Sequence, residues 1–444
     1  MPTTVITFDQ PLWLKAVSIV NTHGLNIVCR LGGFHLQMSF LGSLGTLMAG
    51  SGLSDIMECC YGPNTVKQIM SGKAVAHAVR AHCLIEAALT IMLLKSVFTA
   101  ENALLPSEEL SRVRMFYKDI LHNGFDDNTT FPAGLHYVED SLTELKRSLA
   151  MQSRTAKLWV QYLYYVSTLK LLLRAERTAD WHLHLVSIRR MISLFAATGH
   201  ANYAKCGRLY VEMMTELPST HPHVYEQFMG DAHIARRSNK FWGGLSVDLT
   251  IEQALMRAIK GRGGITHGRG VTESVRATWI ATVHKTAAVK SALAKFADIG
   301  YCHDLMPHPE LAPSRAQRDN CDLLKFLDFL NCHNPFQLTD ARLHSITSGI
   351  AAAESDDINC DDADEIGAAV MQLRLDGMRF ADVRLKRKDQ VRTLQDVTST
   401  VHAAGKKHLS SIDPTILFNR LLVIMRRSIS NIPPPAQNHQ KSHH

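Results

Sequence analysis

The chain has 444 residues, of which 46% are hydrophobic and 20% charged. That balance matches ordinary globular proteins, excludes a wholly disordered chain and supplies enough apolar side chain for a large core. The formal net charge of +7 is modest for this length, so it is compatible with a polyanionic partner without requiring one. Nine cysteines at irregular spacing, with Cys59 and Cys60 adjacent, do not form a disulfide framework and fit a reducing compartment. The start, MPTTVITFDQ, lacks the basic region and apolar run of a secretory signal, and the most apolar stretch, His82 to Phe98, is interrupted by Glu86 and Lys95. The expected location is nuclear or cytoplasmic, neither secreted nor in a membrane.

In chain order, Thr3 to Asp9 is β-branched and short, and reads as a buried strand ending in an acid. Pro11 opens a helix that Gly24 ends, and Leu25 to Leu31 forms a second strand running into Gly32, Gly33 and His35. From Met38 the spacing turns helical: Met38–Met48, Asn64–Met70, Ala74–Phe98 and Ser107–Leu121 carry apolar residues three and four apart. Helices resume over Leu135–Leu149, Thr155–Arg174, Thr178–Thr198 and Ala201–Leu217. The aromatic residues Trp159, Tyr162, Tyr164 and Tyr165 read as helix core in preference to a base-stacking surface. After Pro218 to Pro222, further helices are predicted around Val224–Met229, Ser274–Ala297 and Ala316–Leu330, and Ser355–Asp364 reads as an acidic loop. No repeat of 20–50 residues is present.

Three positions carry the expectation of chemistry. Asp9 sits just past a buried strand, where a carboxylate can serve a divalent cation. His35 follows two glycines that let the backbone turn sharply. Glu252 lies in SVDLTIEQ, where Ser246 or Asp248 would cap a helix starting near Leu249; the plainer reading of Glu252 is a favourable charge near that helix start. The basic residues Arg236, Arg237, Lys240, Lys260, Arg262 and Arg269 flank a glycine-rich run suited to a phosphate backbone, without a Walker-type GK[ST] ending. Cys302, His303, His308, Cys321, Cys332 and His333 are of zinc-ligand type but lack zinc-ligand spacing. The basic run Arg384 to Lys388 reads first as a solvated face and second as a nuclear address.

The segments RLGGFHLQMSFLGSLGTLMAGSGL, RAERTADWHLHL, TGHANYAKCGRLY and RRSNKFWGGLSVDLTIEQALMRAIKGRGGITHGRGVTES resemble a multicopy family of uncharacterised proteins in invertebrate genomes, over about Thr7 to Leu417. That resemblance implies a mobile-element origin and relatives with a longer N-terminus. A weaker resemblance is to transposases with an RNase H-like fold and a DDE triad, in which the second Asp ends a strand, a helix and strand lead to a Cys-x-x-His motif, and a helical insertion precedes the final Glu. Asp9 then matches the second Asp, His35 the His and Glu252 the final Glu; Cys29 lies too far upstream to match the Cys. The first Asp is expected before Met1.

The resulting expectation is a mainly α protein with a small N-terminal β-α-β unit: an incomplete RNase H-like α/β core interrupted by a large all-helical insertion. Its parts would be a partial core over 1–37, the insertion over 38–237, a returning helix with Glu252 over 238–300, a C-terminal helical region over 301–431 and a disordered tail over 432–444. The expected function is a remnant of a metal-dependent DNA strand-cleavage and transfer enzyme, inactive as this chain alone. Asp9 and Glu252 would be its Mg2+ or Mn2+ ligands and DNA its partner, with no membrane and no small-molecule cofactor. The alternative is a non-enzymatic helical module for protein interaction or nucleic-acid binding.

Overall fold

Thr4–Phe8 (β1) and Ile27–Leu31 (β2) pair in parallel, in register from Thr4 opposite Ile27 to Phe8 opposite Leu31. A parallel pair requires a crossover, and Gln10–His23 (α1) supplies it. Asp9 caps this helix by accepting from the Leu12 N–H at 3.2 Å, Pro11 stands in its first turn, and Gly24 closes it in the left-handed conformation. Among the described residues β1 pairs with β2 alone. The computed structural model describes residues 3–99, 106–123, 131–236, 242–256, 272–296, 312–337, 342–352, 357–375 and 389–397.

The rest is mainly helical. In order come Gly33–Leu47 (α2), Leu53–Glu58 (α3), Pro63–Met70 (α4), Val75–Thr99 (α5), Ser107–Asn123 (α6), Ala133–Gln152 (α7), Arg154–Thr178 (α8) and Trp181–Ala197 (α9). Ala201–Thr215 (α10), Leu217–Thr220 (α11) and Pro222–Met229 (α12) follow. A short antiparallel pair, Ala235–Arg236 (β3) with Gly244–Leu245 (β4), leads to Val247–Thr250 (α13) and a π-helical turn over Ile251–Met256. Glu273–Phe296 (α14), Pro313–Cys332 (α15) and Ala363–Leu375 (α16) complete the described helices. The described residues up to Leu394 belong to one compact unit.

The core lies where α2, α8 and α9 meet. Phe40 is fully buried and stands edge-on to Tyr165 at 6.1 Å and to Phe195 at 5.9 Å. Trp159, Tyr162 and Tyr165 are buried and Tyr164 is exposed, so the aromatic stretch of α8 is mostly helix core. Each such ring contributes about 1.5–3 kcal/mol through apolar burial. Helix α5 begins before His82, and by length and composition Val75–Phe98 is apolar enough to cross a membrane. Here it packs against α7, α8 and α15, with Ala78, Ala81, Ile85, Ala88 and Leu89 fully buried. His82 on α5 bonds the Tyr162 hydroxyl at 2.9 Å, and burial pulls its pKa down to about 3, so it is a neutral polar contact within the packing.

The stretch expected to be an acidic loop, Ser355–Asp364, is irregular over 357–359 and ordered into helical structure from Cys360, with 355–356 outside the described residues. Cys360–Asp362 forms a 3-10 turn that leads straight into α16, and α16 packs on α9. Arg154 grips both oxygens of Asp361 at 2.7 and 2.8 Å, while the Tyr165 hydroxyl donates to Asp364 at 3.0 Å. The acids there dock one helix onto the array through fork-shaped contacts of the kind guanidinium makes with carboxylate.

Candidate functional site

The second strand runs into α2 with no loop between, so His35 stands in the first turn of a helix that begins five residues earlier than the periodicity predicts. A helix start exposes unpaired backbone N–H groups. Gly32 has no side chain to offer them, and the cap comes from elsewhere: Asp248 accepts from the Phe34 N–H at 3.1 Å and from the His35 N–H at 3.0 Å. The same carboxylate bonds the His35 ring at Nδ1, 3.1 Å away. Asp248 is 4% exposed, so its charge is held by these donors and by the helix dipole. The glycine is required for close approach. A Cβ at Gly32 would stand 2.3 Å from an Asp248 oxygen.

The predicted cap of α13 therefore does not form. Neither Ser246 nor Asp248 makes a side-chain cap at its own helix, because Asp248 faces α2 instead. Glu252 follows in the π-helical turn, a widened geometry frequent where a helix is shaped around a site. The Asp248 hydrogen bond is the main cause that raises the His35 pKa; partial burial opposes it, and the charges of Asp248, Glu252 and Asp9 add to the rise. Asp9 and Glu252, from distant stretches of sequence, thus both act on His35 through their charges. On α10, burial first, then the charges of Asp9 and Asp248, push the Tyr203 hydroxyl pKa upward. One turn further along α2, Ser39 meets His200 Nδ1 at 2.8 Å.

With Nδ1 held by Asp248, a neutral His35 ring presents Nε2 as its basic nitrogen, an orientation suited to proton transfer. A divalent-cation site asks for more. Both Asp248 oxygens are engaged by donors, Asp9 caps α1, and among the described residues no group of three or more His, Cys, Asp or Glu is placed to hold a metal ion. This donor arrangement does not fit a metal pair, whose hard cations need several free oxygens converging on one point.

Behind β2 lies a second polar group that sequence reasoning missed. Glu176 of α8 and His184 of α9 are buried together, with Oε1 and Nδ1 2.8 Å apart, and His184 Nε2 faces the Tyr210 hydroxyl at 3.3 Å. Burial pushes the Glu176 pKa up, but the hydrogen bond and charge of His184, with Arg30, outweigh it and hold it at about 2. The Arg30 guanidinium donates to the His233 carbonyl and lies over the Trp181 and Phe228 rings, 5.7 and 5.2 Å from their centroids. Burial first, then the charges of His184 and Arg30, draw His233 down to about 4. The signal was present in RAERTADWHLHL, which carries Glu176, Trp181 and His184 on adjoining helices. Of the expected DNA-binding residues, Arg236 is in β3 and pairs with Asp231. Arg237, Lys240, Lys260, Arg262 and Arg269 lie outside the described residues, as does the run Arg384 to Lys388.

The fold and this site together define a mainly helical protein built on a small parallel β-α-β unit, with an Asp–His pair where a strand passes into a helix. The chain belongs to the family described as a domain of unknown function, DUF8702, whose profile matches residues 1–432. Comparison with curated proteins and with solved structures finds no match.

Proposed function

We propose that the chain is a transposase-derived, DNA-binding protein whose RNase H-like metal site has become a structural joint, so that it binds nucleic acid without cleaving it. One observation carries this reading. Asp248 holds His35, which also feels the charges of Asp9 and Glu252, the two carboxylates expected to coordinate Mg2+ or Mn2+, and it spends both oxygens capping α2 and orienting His35. The strand–helix–strand order before α2, the long run of helices after it and the return of the chain at Glu252 support the reading, since the resemblance to DDE-type transposases implies that order. The joint action of Asp9 and Glu252 on His35 supports descent from that fold, and the capped carboxylates support loss of its chemistry.

The test incubates the full chain with supercoiled plasmid and manganese, beside Glu252→Ala, and measures retention of duplex DNA in a gel shift. The reading expects a salt-sensitive shift, no cleavage by either protein and no rise in Tm on adding manganese. Manganese-dependent cleavage that Glu252→Ala abolishes would overturn the structural-joint reading, and absence of any DNA shift would overturn the binding half.

A further inference from the structure

A large cleft opens on the other side of the Asp248 segment. Its volume is about 1030 Å³, and it lies between the start of α2, the first turns of α5, the C-terminal half of α8 and residues 242–253. The size matches the upper range of small-molecule sites. Its walls are aliphatic in part, with Val75, Val79, Leu84, Leu171, Leu245 and Leu249 among the lining side chains, beside polar groups that include the paired carboxylates of Glu176 and Asp319. Such a surface gains by covering a chain of methylenes.

The cations on the same cleft fall into two sets, and Arg177, which has an interaction partner, belongs with the committed ones. Arg80 is held by Asp319, Asp322 and the Tyr61 hydroxyl, Arg315 pairs with Asp319, and Lys170 is bound to both oxygens of Glu86 at 3.1 Å. Lys73 and Arg174 are different. Both line the cleft with exposed side chains, and neither forms an ion pair or a side-chain hydrogen bond among the described residues. A polyanion would call for a row of uncommitted cations along its backbone. Two uncommitted cations beside a deep aliphatic wall suit a single anionic head on an apolar body.

We propose that this cleft binds an anionic amphiphile, an alkyl chain ending in a carboxylate or phosphate, with the chain against Val79 and Leu171 and the head between Lys73 and Arg174. The site uses none of Asp9, His35, Asp248 or Glu252, so it stands or falls independently of the DNA reading.

Isothermal titration of the full chain with dodecanoate, below its micellar concentration, tests this directly. Dodecyl maltoside serves as the uncharged-head control and short oligothymidylate as a competitor. Two variants accompany it: Lys73→Glu with Arg174→Glu, both at exposed positions, and Val79→Trp, which fills the wall. Circular dichroism spectra matching the wild type establish that each variant is folded. The proposal expects saturable binding of dodecanoate, an affinity about tenfold lower for the maltoside and about tenfold lower for the charge-reversed protein. Val79→Trp should weaken dodecanoate binding by at least about tenfold through lost space. No binding of dodecanoate, equal affinity for both heads, undiminished affinity in either variant, or displacement of dodecanoate by oligothymidylate would each refute it.

Discussion

Two Asp/Glu–His pairs flank the second strand, and they differ in one physical respect. Glu176 and His184 are sealed in the interior: the imidazole is fully buried, and Arg30, Tyr210 and two aromatic rings close around it. Asp248 and His35 share the same chemistry at a helix start, but the His35 side chain is 28% exposed and remains open to solvent and to a titrating proton. A buried pair is costly to break because removing either partner strands the other charge away from water. A half-open pair is cheaper to break and easier to use. The sealed pair fixes how α8 and α9 meet; the open one couples residues 242–256 to the N-terminus of α2 and leaves an imidazole nitrogen available.

The sharpest way to break the comparison is at the sealed pair. Glu176→Ala leaves the buried Arg30 without a nearby counter-charge and His184 Nδ1 without its partner, and should destabilise the protein by about 3–5 kcal/mol, measured by urea unfolding. Because folding lowers the Glu176 pKa from its ordinary 4.5 to about 2, the stability it contributes is fully present above about pH 4.5 and lost as the pH falls towards 2. Glu176→Gln should flatten that acid limb. An acid limb identical to the wild type's would show that the pair carries no such energy.

Asp248→Ala should cost less, about 1–3 kcal/mol, since it orphans two backbone donors at the α2 start but opens them partly to water. Asp248→Asn retains an acceptor and should recover part of that loss. Equal unfolding midpoints for Asp248→Ala and the wild type would remove the joint from the account of this site.

The pH dependence of the open pair should be smaller again and of opposite sign to that of the sealed one. Folding raises the His35 pKa above its ordinary 6.5, chiefly through the Asp248 hydrogen bond. The stability it contributes is therefore complete below about pH 6.5 and declines as the pH rises through the raised value. Thermal melts on either side of that window should show the wild type losing more than His35→Gln does. A proton-resolved titration placing His35 at or below its ordinary value would contradict the geometry.

Legibility in the sequence followed the range of each interaction. The β-α-β unit was readable because its strand, its capping Asp9 and its terminating Gly24 are all local, whereas the burial expected for β1 was not met: Thr4 and Ile6 are exposed, since among the described residues β2 alone pairs with it. The helix starts of α7 to α10 fell within a few residues of their predicted positions for the same reason. The start of α2 was not readable, since the group that caps it lies 214 residues along the chain from Phe34. The acid stretch near Asp361 was read as a loop because its counter-charge, Arg154, is 207 residues away. Asp9, His35 and Glu252 were picked out by sequence, yet the residue that ties the site together, Asp248, was seen there only as a local cap.

That last point sets the smallest predicted effect. Glu252 acts on His35 through its charge and sits half-buried in the widened turn. Glu252→Ala should therefore leave stability within about 0.5 kcal/mol of the wild type while lowering the His35 pKa. Urea unfolding and a histidine titration of the same variant separate the two effects. A drop in stability as large as that of Asp248→Ala would make Glu252 part of the joint; an unmoved His35 pKa would place its carboxylate outside the site.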